Sequence, residues 1–429
     1  MGGVSMEWKE VRLGDVCDLI AGFAFKAKDF GEFPTKVIKI GDIKPPFVDY
    51  VGQVGVDISN YDINRLSKYT VKYGDYVLAM TGATIGKVGK YISENFSYIN
   101  QRVLKFSPKQ NVDADFINYI ICSNIFAKYV VNFVDSESAQ PNISAPTISK
   151  FAFQIPSEKD DQHRIASILS SLDRKIELNN KINTDLEEMA QAIFKNWFVD
   201  FEPFKNGKFV DSELGMIPEG WKVGSYSEMI ESLISGDWGK ETPQGNYTHE
   251  VACVRGCDFQ DINNGVRGKT PQRYILEKNY QAKHLKDKDI LVEISGGTAT
   301  VSTGRTSLVT EELLKKYKHD IVCTNFCKVL RPLSQFSSYV YYSWKYKYDN
   351  DIMFGYENGT SGIKNFAIKD FIEKEPVLIP KEQDIVEFQK IIDNLQKQKQ
   401  IKGTENTTLS TLRDTLLPRL MSGELEVPE

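Results

Sequence analysis

The chain has 429 residues, of which 41% are apolar, and its formal net charge is −5. This length and apolar content indicate two or three domains with buried cores, and no apolar stretch is long enough to span a membrane. This mild net negative charge argues against a protein that binds nucleic acid strongly and without sequence preference. It is still compatible with a basic surface on one face.

Residues 1–156 have the pattern of a mixed α/β globule. Strands are expected around 35–40, 69–80 and 98–106, and a helix over 113–131. The segment TGATIGKVG at 81–89 predicts a tight, glycine-rich hairpin. It is not a phosphate loop, because only three residues separate Gly82 from Gly86 and Val88 stands where a magnesium-binding Ser or Thr would be.

Residues 157–205 predict one long helix. Apolar residues recur at steps of three and four, and no Pro or Gly interrupts the pattern before Pro203. At about 1.5 Å per residue, such a helix forms a rod of roughly 60 Å that needs a partner of similar length. The predicted seam consists of Ile165, Ile168, Leu169, Leu172, Ile176, Ile182, Leu186, Met189, Ile193 and Trp197.

Residues 206–380 repeat the order of the first segment, which indicates a duplicated module. This segment again runs from a tryptophan through strands and a glycine-rich hairpin to a helix, here expected over 339–348. The matched pairs are Trp8 with Trp221, Asp75 with Asp289, Gly82 with Gly296, and Asn100 with Asn325.

Residues 381–429 predict the second long helix. Gln154-Ile155-Pro156 precedes the first helix and Leu378-Ile379-Pro380 the second, and a proline at such a position marks the change from strand to helix. We expect the two helices to pair antiparallel with one globule at each end. Gly403 is expected to loosen or kink the second helix.

Six cysteines and four histidines are the candidate metal ligands and nucleophiles. Cys253 and Cys257 form one C-x3-C pair, and Cys323 and Cys327 another; both fit buried core thiols, and the alternative is a four-cysteine zinc site. The histidines lack metal-site spacing, and no catalytic constellation can be assigned. We therefore expect no catalytic residues and no metal.

Two similar globules at a fixed separation suit a split target, and a pseudo-twofold arrangement matches the dyad of duplex DNA. The chain resembles the specificity (S) subunits of type I restriction-modification systems over nearly all of 7–425. The resemblance rests on the module order, on Asp161-Gln162 and Glu382-Gln383 after the two prolines, on IPEGWK at 217–222, and on LLPRLMSGEL at 416–425.

The resemblance implies an α+β protein in which two pseudo-symmetric globular α/β recognition domains are separated by a long antiparallel two-helix coiled coil. Residues 1–156 and 206–380 would be target recognition domains 1 and 2, and 157–205 and 381–429 the central and C-terminal spacer helices. Each domain would read one half of a bipartite site in double-stranded DNA.

The resemblance further implies a non-catalytic subunit that binds no cofactor itself. The cytoplasm is the expected location, because the sequence has no signal-peptide pattern. Two methyltransferase (M) subunits would use S-adenosylmethionine to methylate adenine, and two restriction (R) subunits would use ATP and Mg. The rival hypothesis is a coiled-coil scaffold whose globules bind proteins or other ligands, without a DNA role. An enzyme with a site between the two halves is the weaker alternative.

Base readout requires donors and acceptors on loops near a groove, so polar and basic loop residues are the DNA-binding candidates. In the first domain these are Lys26, Lys28, Thr84, Lys87, Gln140 and Asn142. In the second they are Trp238, Lys240, Arg267, Lys269, Arg273, Thr298, Arg305, Ser361 and Lys364. The alternatives are solvated surface charges for the basic residues, turn chemistry for the polar ones and a core position for Trp238.

Aromatic residues end the first long helix, at Phe194, Trp197, Phe198 and Phe201. They fit either a plug between the helix end and the second globule or a docking face for a methyltransferase subunit. An Asp substitution at Phe198 separates the two roles, because a plug is needed for folding and a docking face only for partner binding.

Overall fold

The computed structural model describes residues 6–134, 141–298, 300–359, 364–425 and 427. The chain divides into two compact units, unit 1 with residues 1–174 and 410–429, and unit 2 with residues 175–409. Within the described ranges, no helix combines the length and the apolar character needed to cross a membrane.

Unit 1 contains a two-stranded, a four-stranded and a six-stranded sheet, in the orders β1-β12, β6-β3-β10-β7 and β2-β11-β8-β9-β5-β4. The strands are β1 Trp8–Arg12, β2 Cys17–Ala21, β3 Phe30–Ile38, β4 Ile43–Lys44, β5 Phe47–Val48, β6 Val54–Val56, β7 Thr70–Val71, β8 Tyr76–Ala79, β9 Val88–Lys90, β10 Ser97–Ile99, β11 Val103–Pro108 and β12 Ala152–Pro156. The helices are α1 Leu13–Val16, α2 Ile63–Leu66, α3 Ala114–Ile121, α4 Asn124–Asn132, α5 Ala145–Ser149 and the start of α6 Lys159–Phe198.

The single helix predicted over 113–131 is two helices, α3 and α4. Asp113 caps α3 by accepting a hydrogen bond from the Phe116 N–H at 2.9 Å. Ser123 caps α4 by accepting from the Phe126 N–H at 3.3 Å. A serine at an N-cap begins a new helix because its hydroxyl replaces an intrahelical partner, and this cap divides the apolar pattern.

Unit 2 contains sheets in the orders β13-β14, β15-β26, β16-β23-β19-β21, β18-β17-β22 and β20-β25-β24. Its strands are β13 Phe209–Val210, β14 Ile217–Pro218, β15 Lys222–Ser225, β16 Ile230–Ser235, β17 Tyr247–Val254, β18 Gln272–Leu276, β19 Ile290–Glu293, β20 Ser295–Gly296, β21 Thr306–Leu308, β22 Ile321–Cys323, β23 Cys327–Pro332, β24 Glu357–Asn358, β25 Lys364–Phe366 and β26 Pro376–Ile379. Its helices are the remainder of α6, α7 Phe259–Asn263, α8 Glu277–Lys283, α9 Glu311–Leu314, α10 Ser337–Asp349, α11 Ile368–Lys374 and most of α12 Glu382–Met421.

The two units repeat one plan, as the sequence predicts. Strand β1 pairs antiparallel with β12, and β15 pairs antiparallel with β26. Lys9 lies opposite Ile155 in the first pair, and Lys222 lies opposite Ile379 in the second. Trp8 and Trp221, each one residue earlier, are therefore equivalent positions.

Asp75 and Asp289 are also equivalent, because each closes a turn and binds a cation on the neighbouring strand. A carboxylate oxygen of Asp75 accepts from the Lys72 N–H at 2.8 Å and from Lys105 Nζ at 2.7 Å. The corresponding oxygen of Asp289 accepts from the Lys286 N–H at 2.8 Å and from Arg331 Nη2 at 2.7 Å. The matched pair is confirmed.

The predicted match of Asn100 with Asn325 is wrong by one residue. The Asn100 carbonyl accepts from the Val103 N–H at 2.8 Å, and the Thr324 carbonyl accepts from the Cys327 N–H at 3.0 Å. Asn100 is therefore equivalent to Thr324. Either side chain supplies an oxygen that accepts from the backbone N–H two residues later, so the turn tolerates both residue types.

The long helices α6 and α12 each span 40 residues. Within unit 2, Asn179 binds Asn406, Glu187 binds Lys399, and the rings of Phe194 and Phe388 lie 6.2 Å apart. The partner number falls as the α6 number rises, so the helices run antiparallel. Within unit 1, Asp173 binds Arg413 Nη1 at 2.7 Å. The predicted α+β class with a long antiparallel helix pair is confirmed.

The central part of the predicted α6 seam is wrong. Asn179 and Asn183 are buried there, whereas Met189 is 51% exposed. Asn179 Nδ2 donates to Asn406 Oδ1 at 2.9 Å, and Asn183 Nδ2 donates to the Asn264 carbonyl at 3.0 Å. Both amide nitrogens have partners, whereas the Oδ1 atoms of Asn179 and Asn183 are buried without a hydrogen-bond partner among the described residues. An apolar pattern alone does not identify such buried amides.

Gly403 does not interrupt α12, which continues through it. A Cβ at Gly403 would lie 2.0 Å from the Gly265 carbonyl oxygen. The glycine allows the loop of unit 2 that contains Gly265 to approach the helix backbone. The expected loosening is therefore wrong, because here the missing side chain serves close packing.

Candidate nucleic-acid interface

In unit 1 the glycine-rich hairpin and the polar loop that follows α4 lie together. The Gly82 N–H donates to the Pro141 carbonyl at 3.2 Å, and the Ile143 N–H donates to the Met80 carbonyl at 2.9 Å. Gly82 and Gly86 have positive φ values of 76° and 80°, which glycine adopts without strain. These contacts bring together the segments that carry Thr84, Lys87 and Asn142.

The side chains of this surface are only partly engaged. Lys87 and Asn142 are exposed. The hydroxyl oxygens of Thr81 and Thr84 are buried and have no hydrogen-bond partner among the described residues. Gln140, the remaining candidate of this loop, lies outside the described residues.

Lys26 and Lys28 lie on a different element, at the start of and within a 3-10 helix over Ala27–Asp29. Both are exposed. The Lys26 N–H donates to Tyr61 Oη at 3.1 Å, and Tyr61 Oη donates to the buried carboxylate of Asp29. The turn is thus held by its backbone and its aromatic neighbour, and both ammonium groups remain available at the surface.

The equivalent hairpin of unit 2 runs from Glu293 to Arg305. The Gly304 N–H donates to the Glu293 carbonyl and the Gly86 N–H to the Ala79 carbonyl, both at 2.9 Å. The Glu293 N–H donates to the Arg305 carbonyl at 2.9 Å, as the Ala79 N–H does to that of Lys87 at 3.0 Å. Arg305 is therefore the counterpart of Lys87, and Glu293 that of Ala79.

Arg305 forms a bidentate ion pair with Glu293. Its Nε donates to Oε2 and its Nη2 to Oε1, each at 2.8 Å. This hydrogen bonding raises the pKa of Arg305 above its ordinary value. The arginine is 44% exposed, whereas the carboxylate is 11% exposed, so the pair faces solvent through its cationic member.

Lys364 and Thr298 belong to the same region of unit 2. Lys364 is paired with Gly296 in the sheet, and its Nζ donates to Glu357 Oε2 at 2.7 Å. Burial raises the pKa of Glu357, but the hydrogen bonds from Lys364 and Thr303 outweigh it and lower that pKa below its usual value. Thr298 is exposed and its hydroxyl accepts from the Val301 N–H at 3.0 Å. Ser361 lies outside the described residues.

Trp238, Lys240 and Arg273 form a second group in unit 2. The guanidinium of Arg273 stacks 3.7 Å from the centre of the Trp238 ring and binds Glu241 Oε1 at 3.1 Å. Arg273 is only 7% exposed, and Trp238 packs against a buried cluster that contains Cys253. This packing favours the core position for Trp238, and the burial of Arg273 contradicts the solvated surface charge that was its alternative. Lys240 is exposed and hydrogen-bonded to Tyr274 through its backbone.

Arg267 and Lys269 are exposed on the loop after α7. The guanidinium of Arg267 lies 5.5 Å from the centre of the Tyr317 ring, and burial raises the pKa of that tyrosine to about 12. The Lys269 carbonyl accepts from Arg255 Nη2 at 2.9 Å. Neither cationic group forms an ion pair within the described part of the chain.

The four aromatic residues proposed for partner docking lie in the core of unit 2 or against it. Phe194 and Phe198 are 4% and 3% exposed, and Trp197 and Phe201 are partly buried beside them. The Phe198 ring lies 4.9 Å from that of Phe388 on α12. This burial favours the plug, and a docking role stays a prediction for the partly exposed pair.

Three of the four cysteines of unit 2 are core thiols, and the expected core position is wrong for Cys257. Cys253, Cys323 and Cys327 are buried, Cys257 is exposed, and all four are free. Burial raises the pKa of Cys253 and of Cys327 to about 12, so these thiols are not poised to ionise. Over the described ranges, no group of three or more His, Cys, Asp or Glu could hold a metal ion.

The sequence prediction missed Glu293 and Glu357, the two carboxylates that hold the hairpin of unit 2. Glu293 ends the apolar run Ile290-Leu291-Val292 in β19. A charged residue that continues a buried strand requires a partner. That signal could have identified Glu293, whereas nothing in the sequence distinguishes Glu357 from other surface acids.

Comparison with known proteins identifies relatives over the whole chain. Residues 6–188 match the model of the type I restriction modification DNA specificity domain. The type I restriction enzyme MjaIX specificity subunit of Methanocaldococcus jannaschii is 27% identical over 453 residues, covering 100% of this chain and 96% of that protein. The HindI specificity subunit of Haemophilus influenzae is 24% identical, covering 98% and 100%.

A solved structure shares the fold. The S subunit of a type I restriction-modification system from M. genitalium matches with a TM-score of 0.53, covering 100% of this chain and 98% of that chain. The sequences are 15% identical, so the match concerns the fold alone. The duplicated plan described above is therefore shared by a protein of very different sequence.

Proposed function

We infer that the chain is a type I restriction-modification specificity subunit, the non-catalytic component that selects the DNA sequence. The resemblance expected from the sequence is confirmed by the family model and by the full-length relatives. The scaffold alternative is not favoured, because both full-length relatives are specificity subunits.

The observation that carries the proposal in this molecule is the pair of equivalent hairpins. Each presents one cationic residue at the same backbone position, Lys87 in unit 1 and Arg305 in unit 2. The surrounding residues differ between the copies. Two readers with one scaffold and different side chains suit a target whose two halves differ in sequence.

We propose that each unit reads one half of a bipartite DNA site. Co-expression with methyltransferase subunits from the same gene cluster, followed by genome-wide mapping of N6-methyladenine, tests this. Exchange of residues 1–156 for those of another family member should change one half of the methylated motif. A change in both halves, or in neither, contradicts the modular reading.

We propose that α6 supplies the docking surface for a methyltransferase subunit. Within unit 2, Leu178 and Met189 are each 51% exposed, and Ile182 and Leu186 are partly exposed between them. Their spacing places them along one side of the helix. Exposed apolar side chains in such a row are typical of a protein-binding surface.

A double substitution tests this surface. Leu178→Asp with Met189→Asp should abolish co-purification with the methyltransferase subunit and leave the melting temperature unchanged. Phe198→Asp is the contrasting variant, because it places a carboxylate in the core and should lower the melting temperature. Retained co-purification of the double variant rules this surface out.

The proposal assigns the remaining chemistry to partners. Methyltransferase subunits would bind S-adenosylmethionine, and restriction subunits would bind ATP and Mg²⁺, with two copies of each in the full cytoplasmic complex. Mass measurement of the purified assembly tests the copy numbers.

A further inference from the structure

The ion pair of Arg305 with Glu293 uses one edge of the guanidinium, and the other edge has no hydrogen-bond partner among the described residues. Arginine has five N–H donors, and the contacts of Nε and Nη2 with the carboxylate use two of them. The remaining three lie on Nη1 and Nη2. One from each nitrogen forms the parallel pair of donors that matches O6 and N7 of guanine in the major groove.

The carboxylate of Glu293 occupies space that the missing side chain of Gly256 leaves open. A Cβ at Gly256 would lie 2.3 Å from Glu293 Oε1, so only glycine leaves room for the carboxylate. The carboxylate, at 11% exposure, is fixed by its surroundings. An arginine held on such a carboxylate loses less rotational freedom on binding than a free one.

The backbone before Arg305 is also fixed. Trp344 Nε1, which is buried, donates to the Gly304 carbonyl at 2.9 Å. One residue earlier, the N–H and hydroxyl of Thr303 donate to Glu357 at 2.6 and 2.9 Å. The arginine therefore extends from a hairpin arm that is held on the core of unit 2.

The equivalent place in unit 1 is built in the opposite way. Ile40 takes the position of Gly256, because Lys39 and Asp42 repeat the turn formed by Arg255 and Asp258. Ala79 takes the position of Glu293. The bulky side chain is on the 3-10 turn in unit 1, at Ile40, and on strand β19 in unit 2, at Glu293. Lys87 has no carboxylate at the position of Glu293.

We propose that Arg305 recognises a guanine in the half-site read by unit 2, with Glu293 as its positioning residue. This inference rests on the proposed function, since it names the base recognised by one of the two readers. Lys87, a flexible point charge, is not expected to distinguish guanine in this way in the half-site of unit 1.

Motif mapping of the assembled methyltransferase complex tests the proposal. Arg305→Ala should reduce the preference for guanine at one position by on the order of tenfold to a hundredfold and leave the other half-site unchanged. Arg305→Lys keeps the charge but lacks the planar fork, so it should show the same change. It also answers the objection that the Ala variant fails to fold.

Gly256→Ala is the test of Glu293 as a positioning residue. The added methyl group displaces the carboxylate without altering either member of the ion pair, so a smaller loss of preference is expected at the same position. Lys315→Ala is the matched control, because this exposed lysine pairs with Glu311 on α9. The control should methylate the wild-type motif.

The outcomes separate the two proposals. A wild-type complex that methylates no bipartite motif contradicts the proposed function. If the wild-type motif is bipartite and Arg305→Ala keeps the same guanine preference, only the present inference fails. Equal weakening at every position also overturns it, because that result indicates a phosphate contact.

Discussion

Gly403 of helix α12 lies against Gly265 so closely that neither position has room for a side chain. A Cβ on Gly403 would stand 2.0 Å from the Gly265 carbonyl oxygen, and a Cβ on Gly265 would stand 2.6 Å from the Lys399 carbonyl oxygen. The helix and the loop after α7 therefore touch through their backbones. This contact fixes the loop that carries Arg267 to the helix within unit 2.

Gly403→Ala should destabilise the protein, although alanine is the better helix former. In an exposed helix the change stabilises by about 1 kcal/mol, but here the methyl group must displace backbone, at a cost of about 1–3 kcal/mol. Urea unfolding measures whether Gly403→Ala lowers or raises the free energy of unfolding. Gln398→Ala, at an exposed position of the same helix, should change stability little. A stabilised Gly403→Ala would contradict the close contact.

The buried pair of Glu187 and Lys399 should show strong coupling. Lys399 is 3% exposed and its ammonium binds Glu187 Oε2. Lys399→Met removes the ammonium from a carboxylate that is 19% exposed and keeps the neutral donors Gln191 and Tyr342. We expect a loss of about 3 kcal/mol in the free energy of unfolding, the lower end for a broken buried pair.

The double variant Glu187→Leu with Lys399→Met should recover most of that stability, since two apolar residues need no partner. A double-mutant cycle from denaturant unfolding gives the coupling free energy. Additive effects of the two single substitutions would show that the pair is not coupled.

Lys316 should make stability depend on alkaline pH. Burial lowers its pKa to about 8, whereas an unfolded chain has a lysine pKa of about 10.4. Below about pH 8 both states are protonated and the cost of burying the charge is fully present. Between these two pKa values the unfolded state binds more protons than the folded state, so the free energy of unfolding increases as the pH rises.

Lys316→Met removes that contribution, so the stability of the wild type relative to this variant should increase from about pH 8 to about pH 10.4. Lys315→Met is the control. A hydrogen bond to Glu311 raises the pKa of the exposed Lys315. The stability of the wild type relative to Lys315→Met should therefore not increase with pH. If the stability of the wild type relative to Lys316→Met does not change with pH, the lowered pKa of Lys316 is refuted.

Asp289 and Asp75 have the same role but different burial, which predicts unequal costs. Asp289 is 1% exposed and Asp75 is 28% exposed. Asp289→Ala removes a buried carboxylate that binds two nitrogens of Arg331, at about 3–5 kcal/mol. Asp75→Ala should cost less, because Asp75 is partly solvated and Lys105 keeps its hydrogen bond to the Thr70 carbonyl. Denaturant unfolding of both variants gives the comparison, and equal losses would contradict it.

The sequence predicted the repeated features that depend on local chemistry. Trp8 and Trp221, like Asp75 and Asp289, keep their residue types because each pair serves one strand pairing or one turn. Both long helices were predicted to within a few residues, since proline precedes each of them and an apolar period runs through them.

The features that sequence did not predict depend on partners distant in the chain. Asn179 is buried because Asn406, 227 positions away, accepts its hydrogen bond. Gly403 has no side chain because Gly265 touches it. A helix period identifies which residues share a face, but it does not identify the face that another segment covers. For the same reason Arg305 was a candidate for the interface while its carboxylate was not.

Ile40 in unit 1 stands where unit 2 has Gly256, and this difference determines which substitutions would give unit 1 the ion pair of unit 2. Lys87→Arg alone would give unit 1 an untethered arginine, because Ala79 offers it no carboxylate. Ala79→Glu alone would direct an acid towards the volume that Ile40 fills. Transfer of the tethered arginine to unit 1 therefore requires substitutions at positions 40, 79 and 87 at the same time. Libraries of single substitutions do not contain this combination.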